Sequence, residues 1–467
     1  MWLVFLLLGA LLAYQPVHDM DLPMHVAAGR WILAHGVPHA DPFSYTAAGR
    51  PWVDHEWLTQ VLFALLEQVG GIEALKLLGC ALVGVGLLLW RRAFAAAGAG
   101  RFASACLTLL LAILFTHRVH VRPHLLGFGC EALFVHALFQ PPRRRAVQAL
   151  AGVGFVLWVQ LHGGWLLALM ALGATAGVTL LRTGWRAALR PGLTACALGG
   201  LACVNPAGWR VFHAPFSVGG ISPLIPEWWS VLAQDPSYDD KKLYTLLLAP
   251  LLALGLLAGA RRAPPAALAL ALVCGFLGLS SARFLYLLPA GLLPWIHVPL
   301  WAPLTRPQPR ALLVLALVLV LGKHVADRWQ RLLALPGGPG AAFFPRRFPE
   351  AATDALAAAD FRGRVFAPPT WTSYLLYRLG ERVRVCIDGR VEVYGADIAR
   401  DMLRMDHTPD SHEIVAKYPG DVVLTPIGWM AGGPPGHVLV QRDELAELHV
   451  RDAPELQPLI ARLRARR

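Results

Sequence analysis

Apolar stretches of about 15–20 residues recur along roughly the first 325 positions, and none shows the strict alternation of a half-buried strand. A stretch of that length suits a helix crossing the hydrocarbon core of a bilayer. There, every backbone N–H and C=O must be paired inside its own segment or within a closed barrel. Without period-two alternation, helices are the reading that remains. Composition agrees, because hydrophobic residues make up 56% of the 467-residue chain and charged residues only 15%. A soluble domain carries about a quarter charged residues. The expected fold is therefore a polytopic α-helical membrane protein.

Length and flanking residues predict about eleven spans, near 1–16, 72–90, 102–117, 124–140, 146–161, 163–181, 191–204, 243–260, 264–280, 284–301 and 311–323. The first, apolar from Met1 to Tyr14, lacks a basic start and a small-residue cleavage site, so a retained helix is expected. Alternate connections hold Arg91, Arg92 and Arg101; Arg143 to Arg145; Arg182, Arg186 and Arg190; Arg261 and Arg262; and Arg306 and Arg310, with no Asp or Glu among them. The opposite set holds Asp19, Asp21, Asp41, Asp54, Glu56, Glu227, Asp235, Asp239 and Asp240. Lys and Arg mark the cytoplasmic side. The N-terminus is then inside, and the acidic loops and the tail are outside, as in a bacterial cytoplasmic membrane protein. The net charge of +12 is accounted for by these loops, which argues against nucleic acid as a partner. Six of the seven cysteines fall in apolar stretches with no C-x-x-C spacing, so neither a zinc site nor a disulfide framework is expected.

The expected organisation is a transmembrane domain over 1–325 with a first outer loop at 17–71, a linker at 326–340, and an outer α/β domain over 341–467. The Pro336–Gly340 run marks the linker. In the tail, Arg364–Ala367, Val383–Ile387 and Asp421–Thr425 read as strands, and Trp371–Leu379, Ala396–Met405 and Pro454–Arg466 as helices.

The first outer loop concentrates chemistry. Five carboxylates, five histidines and three tryptophans fall within residues 18–58, more than a bare connection needs. Leu22–His35 and Glu56–Val69 have amphipathic helical patterns, which would hold Asp19, Asp21, His25, His55 and Glu56 near the membrane surface. Carboxylates placed there suit a general base toward a hydroxyl, or ligands for a divalent cation such as Mg or Mn beside a phosphate. Helix capping is the competing role for Asp19 and for Asp54.

The run of an Asp just after the first helix, then Gly29-Arg30-Trp31-Ile32-Leu33-Ala34-His35-Gly36, Asp41-Pro42-Phe43-Ser44-Tyr45-Thr46 and His55-Glu56-Trp57-Leu58 resembles bacterial membrane glycosyltransferases of the GT-C superfamily. The tail segments Tyr374–Leu379 and Ile387–Gly395 look like the outer domain of a largely uncharacterised branch. The resemblance implies a polyprenyl-phosphate-linked sugar donor and an acceptor that is a glycan, lipid or protein. It also implies a catalytic carboxylate at Asp19 or Asp21, with Asp19 favoured because it lies nearest the first helix. The run Leu22-Pro23-Met24 departs from the aromatic residues common there, which keeps open a scaffold that retained the fold.

Other outer-side residues suit a phosphate. Arg122 and His124 close the run His117–His124, and Arg283 follows Ser280-Ser281-Ala282; a guanidinium offers a charged bidentate fork. Interfacial anchoring is the competing role. His162, in His162-Gly163-Gly164, is a candidate to face a cavity, with a satisfied structural histidine as the competing role. Glu227 beside Trp228 and Trp229 suits sugar contacts, with an interfacial aromatic belt as the alternative for the tryptophans. Glu131 and His136 fall inside a span, although an i,i+5 spacing is poor for mutual contact. Asp388-Gly389-Arg390 follows a strand and reads first as a turn locked by an Asp–Arg pair, with a substrate contact at the carboxyl end of the strand as the alternative. The expected function is an inverting sugar transfer. A transporter of a lipid-linked or anionic substrate is the second reading, with no internal repeat to support it.

Overall fold

A computed structural model of the chain describes residues 2–141, 144–214, 223, 225–236, 239–298, 307–404, 411–430 and 432–465. Met1, Arg143, residues 299–301, Arg306, Met405 and Arg466, all part of expected segments or loops, lie outside the described residues. The chain divides into two compact units, Met1–Gln15 with Leu75–Val211 and Ile225–Pro339, and Pro16–Ala74 with Phe212–Leu224 and Gly340–Arg467.

The first unit is helical and belongs to a multi-pass membrane protein. Among the described residues of the chain, five helices are long and apolar enough to cross a membrane, and four shorter apolar helices accompany them. Leu166–Thr183 packs against both Trp185–Ala202 and Pro265–Ser280, His124–Leu138 against Arg145–Leu161, and Pro307–Leu333 against Arg101–Phe115. Aromatic side chains fill the interior. Trp90, Phe94, Phe115, Phe128, Trp158 and Trp165 are all buried, and the Phe115 and Phe128 rings stack with centroids 4.1 Å apart. Leu181, Leu193, Leu257 and Leu319 point outward, the face that lipid would cover. Helix Trp2–Ala13 closes on the stretch after Leu75 through Gly9, where a Cβ would lie 2.2 Å from the Cys80 carbonyl oxygen. Only a glycine permits that approach.

Two differences from the expected spans have local causes. Residues 284–301 do not form one helix. A 3₁₀ turn at Ala282–Leu287, one helical turn at Leu288–Gly291 and a second 3₁₀ turn at Leu293–His297 replace it. Pro289 and Pro294 each lack the N–H that a continuing helix would need, so each starts a new turn. The last helix, Pro307–Leu333, runs past residue 325 and takes up the first part of the expected linker.

The second unit is built on a five-stranded sheet. Its strands are β1 (Gly363–Phe366), β2 (Val383–Val385), β3 (Val422–Pro426), β4 (His437–Arg442) and β5 (Ala446–Arg451). Their order is β2-β1-β3-β5-β4, with β1 parallel to β2 and β3, and β5 antiparallel to β3 and β4. The first three carry the expected strands; β4 and β5 were not expected.

Residues 17–71, expected as the first outer loop, fall in this unit rather than in the helical one. Their two amphipathic patterns are helices, Asp21–His35 and the opening part of Trp57–Ala96, which breaks at Gly70 and Gly71. The loop also lengthens the sheet beyond β2, because Tyr45 N–H donates to the Val385 carbonyl and Val385 N–H to the Phe43 carbonyl, each at 3.0 Å. Helix Asp21–His35 packs on Pro369–Leu379. Arg30 fastens this contact: it reaches the Tyr377 carbonyl at 2.9 Å and the Glu67 carboxylate at 2.6 Å, and Tyr377 Oη donates to Glu67 at 3.0 Å.

Candidate functional site

The residues singled out from sequence fall into two clusters, one in each unit. In the helical unit, helix Arg101–Phe115 ends in a 3₁₀ turn, Thr116–Arg118, and the chain turns over to start the next helix at His124. His124 Nε2 lies 2.6 Å from the Arg118 carbonyl oxygen and His117 Nε2 lies 3.1 Å from the Ala282 carbonyl oxygen, so both imidazoles brace the turn. Three guanidinium groups then converge on Glu227. Arg118 and Arg283 each stand 3.0 Å from its carboxylate, and Arg122 stands at 3.7 Å. These residues, with His117, His120, His124 and Ala282, line a cavity of about 160 Å³, which is many times the ~10–15 Å³ that one water centre needs.

Glu227 is fixed through its backbone. Ser281 Oγ donates to the Glu227 carbonyl at 3.0 Å, and Ala282 N–H donates to the Trp229 carbonyl at 2.8 Å. The Arg283 guanidinium sits over the Trp228 ring, 4.7 Å from its centroid, a cation–π contact. Glu227, expected to suit sugar contacts, is paired with arginines in this structure. Arg118, part of the run His117–His124 but without an expected role there, is the most deeply buried of the three cations. Its signal was its place four residues before Arg122, which a tight turn brings to the same side.

His162 does not line this cavity. Its Nδ1 accepts from Gly164 N–H at 3.1 Å, and its ring centroid is 6.4 Å from that of His124. Glu131 and His136 do not meet. The Tyr286 hydroxyl lies 2.9 and 3.0 Å from the two Glu131 oxygens, while His136 Nδ1 lies 3.3 Å from the Arg92 carbonyl oxygen.

In the second unit, Asp19 is buried and its Oδ1 accepts from the N–H groups of Asp21, at 2.6 Å, and Leu22, at 3.3 Å. This oxygen therefore caps the start of helix Asp21–His35. Asp21 faces the tail: a Cβ added to Gly389 would lie 2.8 Å from Asp21 Oδ1. The Glu56 carboxylate sits between two imidazoles, 3.8 Å from His25 Nε2 and 3.8 Å from His55 Nε2. Asp54 Oδ1 accepts from Glu56 N–H at 3.2 Å and from Gln60 Nε2 at 3.0 Å. Burial pushes its carboxyl up to about 8 and also raises that of Glu392.

Below this group, Arg390 makes a bidentate pair with Asp388, at 2.9 and 2.6 Å, and a third contact to Asp41 at 2.6 Å. The Phe43 and Trp52 rings flank its guanidinium at 4.8 and 4.4 Å. The expected Asp–Arg turn is present and also ties the first loop to the tail.

A divalent cation at Asp19 and Asp21 is not supported by the residues. Among the described residues no group of three or more His, Cys, Asp or Glu side chains is arranged to hold a metal, and Mg prefers about six oxygen ligands. One Asp19 oxygen is already committed to backbone N–H groups.

The sequence matches no family model and no curated protein. Solved structures do match. The oligosaccharyltransferase of Archaeoglobus fulgidus, in complex with Zn and sulfate, aligns with a TM-score of 0.60 at 12% identity, covering 96% of this chain and 73% of that one. Its apo form aligns with a TM-score of 0.59 over 93% and 71% of the two chains. ArnT from Cupriavidus metallidurans bound to undecaprenyl phosphate aligns over 97% of each chain at 15% identity, with a TM-score of 0.41. The long alignment to the archaeal enzyme, over nearly all of this chain, shows that the chain shares the fold of that oligosaccharyltransferase.

Proposed function

We propose that the chain is a glycosyltransferase that moves a sugar from a polyprenyl-phosphate donor to an acceptor on the outer face of the bacterial cytoplasmic membrane. The observation that carries this reading is the convergence of Arg118, Arg122 and Arg283 on one cavity in a protein of GT-C fold. Transfer breaks the bond between the anomeric carbon and the donor phosphate oxygen and forms a bond from that carbon to the acceptor oxygen. The departing phosphate gains a negative charge, which fixed guanidinium groups in a low-dielectric site stabilise. The acceptor hydroxyl loses its proton to a carboxylate. Asp19 and Asp21 are the candidates for that base, and His25, His55 and Glu56 are candidate contacts to the substrate. An oligosaccharyltransferase structure was solved with a tethered acceptor peptide, and we extend to this chain only that some hydroxyl or amide acceptor takes the sugar.

Release of polyprenyl phosphate from labelled donors tests the reading. Wild type should turn over at least one such donor, and Asp19→Asn or Asp21→Asn should lose about 100-fold or more, the lower range for a missing general base. Full turnover in both variants would remove the base assignment; no release from any donor by wild type would remove the activity.

A further inference from the structure

Among the described residues lining the arginine cavity, Glu227 is the one acidic side chain. Its Oε2 faces Arg118 at 3.0 Å and Arg122 at 3.7 Å, and its Oε1 faces Arg283 at 3.0 Å. Two oxygens spread over three guanidinium groups reproduce what a phosphate group would present there. The Glu227 side chain is 31% exposed and that of Arg118 only 7%. The carboxylate can therefore leave toward the open cavity while the cation behind it stays.

We propose that Glu227 is an internal counter-ion that occupies the phosphate seat and is displaced by an incoming phosphate ester. The inference rests on the phosphate role given to this cavity above. Three like charges a few ångströms apart repel one another when nothing sits between them. Glu227 relieves that repulsion in the resting protein. A phosphate monoester, the form the lipid phosphate takes once the sugar has left, brings nearly twice the charge and three terminal oxygens and takes over the contacts. A diester donor, with one charge and two terminal oxygens, competes with Glu227 on equal terms. The backbone ties from Ser281 to the Glu227 carbonyl and from Ala282 to the Trp229 carbonyl hold the segment in place. Displacement is then a rotation of the Glu227 side chain. Trp228, stacked on Arg283, loses or changes its cation–π partner in the same step. The exchange sets the affinity for phosphate below what three arginines alone would give, which favours release of a phosphate product.

Binding of inorganic phosphate and of farnesyl phosphate, measured on the detergent-solubilised full chain by calorimetry and by tryptophan fluorescence, tests this. Glu227→Gln should tighten binding about tenfold, the equivalent of about 1.4 kcal/mol. Glu227→Ala should become sensitive to acetate, which refills the vacated seat and competes with phosphate, whereas wild type should not. Tightening for both probes assigns the seat to the phosphate group itself, and tightening for farnesyl phosphate alone assigns it to the lipid-borne group; either supports the proposal. Unchanged or weaker binding in a folded Glu227→Gln, with binding still lost in Arg122→Ala and Arg283→Ala, overturns the counter-ion role and leaves the phosphate cavity standing. If Glu227→Gln does not fold, Glu227→Asp, which keeps the charge and withdraws it by one carbon, should still tighten binding, and unchanged binding there overturns the role. Absence of binding in wild type and in Glu227→Gln overturns both.

Discussion

Asp54 lies buried just before helix Trp57–Ala96, and its carboxyl is held up to about 8 by that burial. An acid whose folded value exceeds its unfolded one binds more protons in the folded state between the two. Stability therefore falls as pH rises, here from about pH 4 to about pH 8, and levels off above. Asp54→Asn keeps an oxygen for the Gln60 and Glu56 bonds and cannot ionise. Its Tm relative to wild type should rise steadily over that window, and a constant difference would contradict the burial argument. Arg390 belongs to the same scale. Its removal leaves Asp388 and Asp41 as uncompensated buried carboxylates, so Arg390→Ala should cost about 3–5 kcal/mol in thermal or denaturant unfolding. Lys should not restore it, because the bidentate fork and the stacking on Phe43 and Trp52 need a planar guanidinium. Gly389→Ala probes Asp21 directly, since the new methyl would meet that carboxylate at 2.8 Å. If Asp21 takes part in transfer, turnover should drop while Tm moves little; equal turnover would place Asp21 outside the reaction.

At the level of elements, the break between the loop helix and the following helix is set by two glycines. Gly71 has φ 63° and ψ −162°, a region that essentially only glycine occupies. A Cβ there would touch nothing within 4 Å. Gly71→Ala should therefore cost about 1–3 kcal/mol through the backbone alone, read as a lower Tm. The loop helices were legible because their apolar spacing is strong and short-range. Strand β5 does carry a period-two signal, Ala446, Leu448 and Val450 alternating with Glu447, His449 and Arg451, but it is only six residues long, and β4 (His437–Arg442) has no such alternation. The segment 284–301 read as a span because its composition is apolar throughout, whereas Pro289 and Pro294 decide its conformation. The arginine cavity was half legible: Arg122, His124, Glu227 and Arg283 stand out by charge, but Glu227 meets its arginines across 56 to 109 residues, a separation that leaves no local signal.

For the whole molecule, the alternation of basic and acidic connections predicts an N-terminus inside and a tail outside. A reporter that is active only outside the cytoplasm should be active when fused after residue 340 and silent in the loop of Arg261 and Arg262; the reverse pattern would invert the topology. The attachment of the first outer loop to the tail was not readable from sequence, because it depends on Arg30, Arg390 and the bonds to Val385, each joining residues more than three hundred positions apart. It makes the loop and the tail sheet one folded unit, so truncation after residue 340 should unfold residues 16–74 as well as remove the sheet. The central claim is that the arginine cavity receives a lipid phosphate. Cryo-electron microscopy of the full chain in a bilayer containing a polyprenyl phosphate tests it most directly. Phosphate density should lie within hydrogen-bond distance of Arg118, Arg122 and Arg283, with the Glu227 side chain turned away; a lipid phosphate bound elsewhere, with Glu227 still paired to all three arginines, would rule out that role for the cavity.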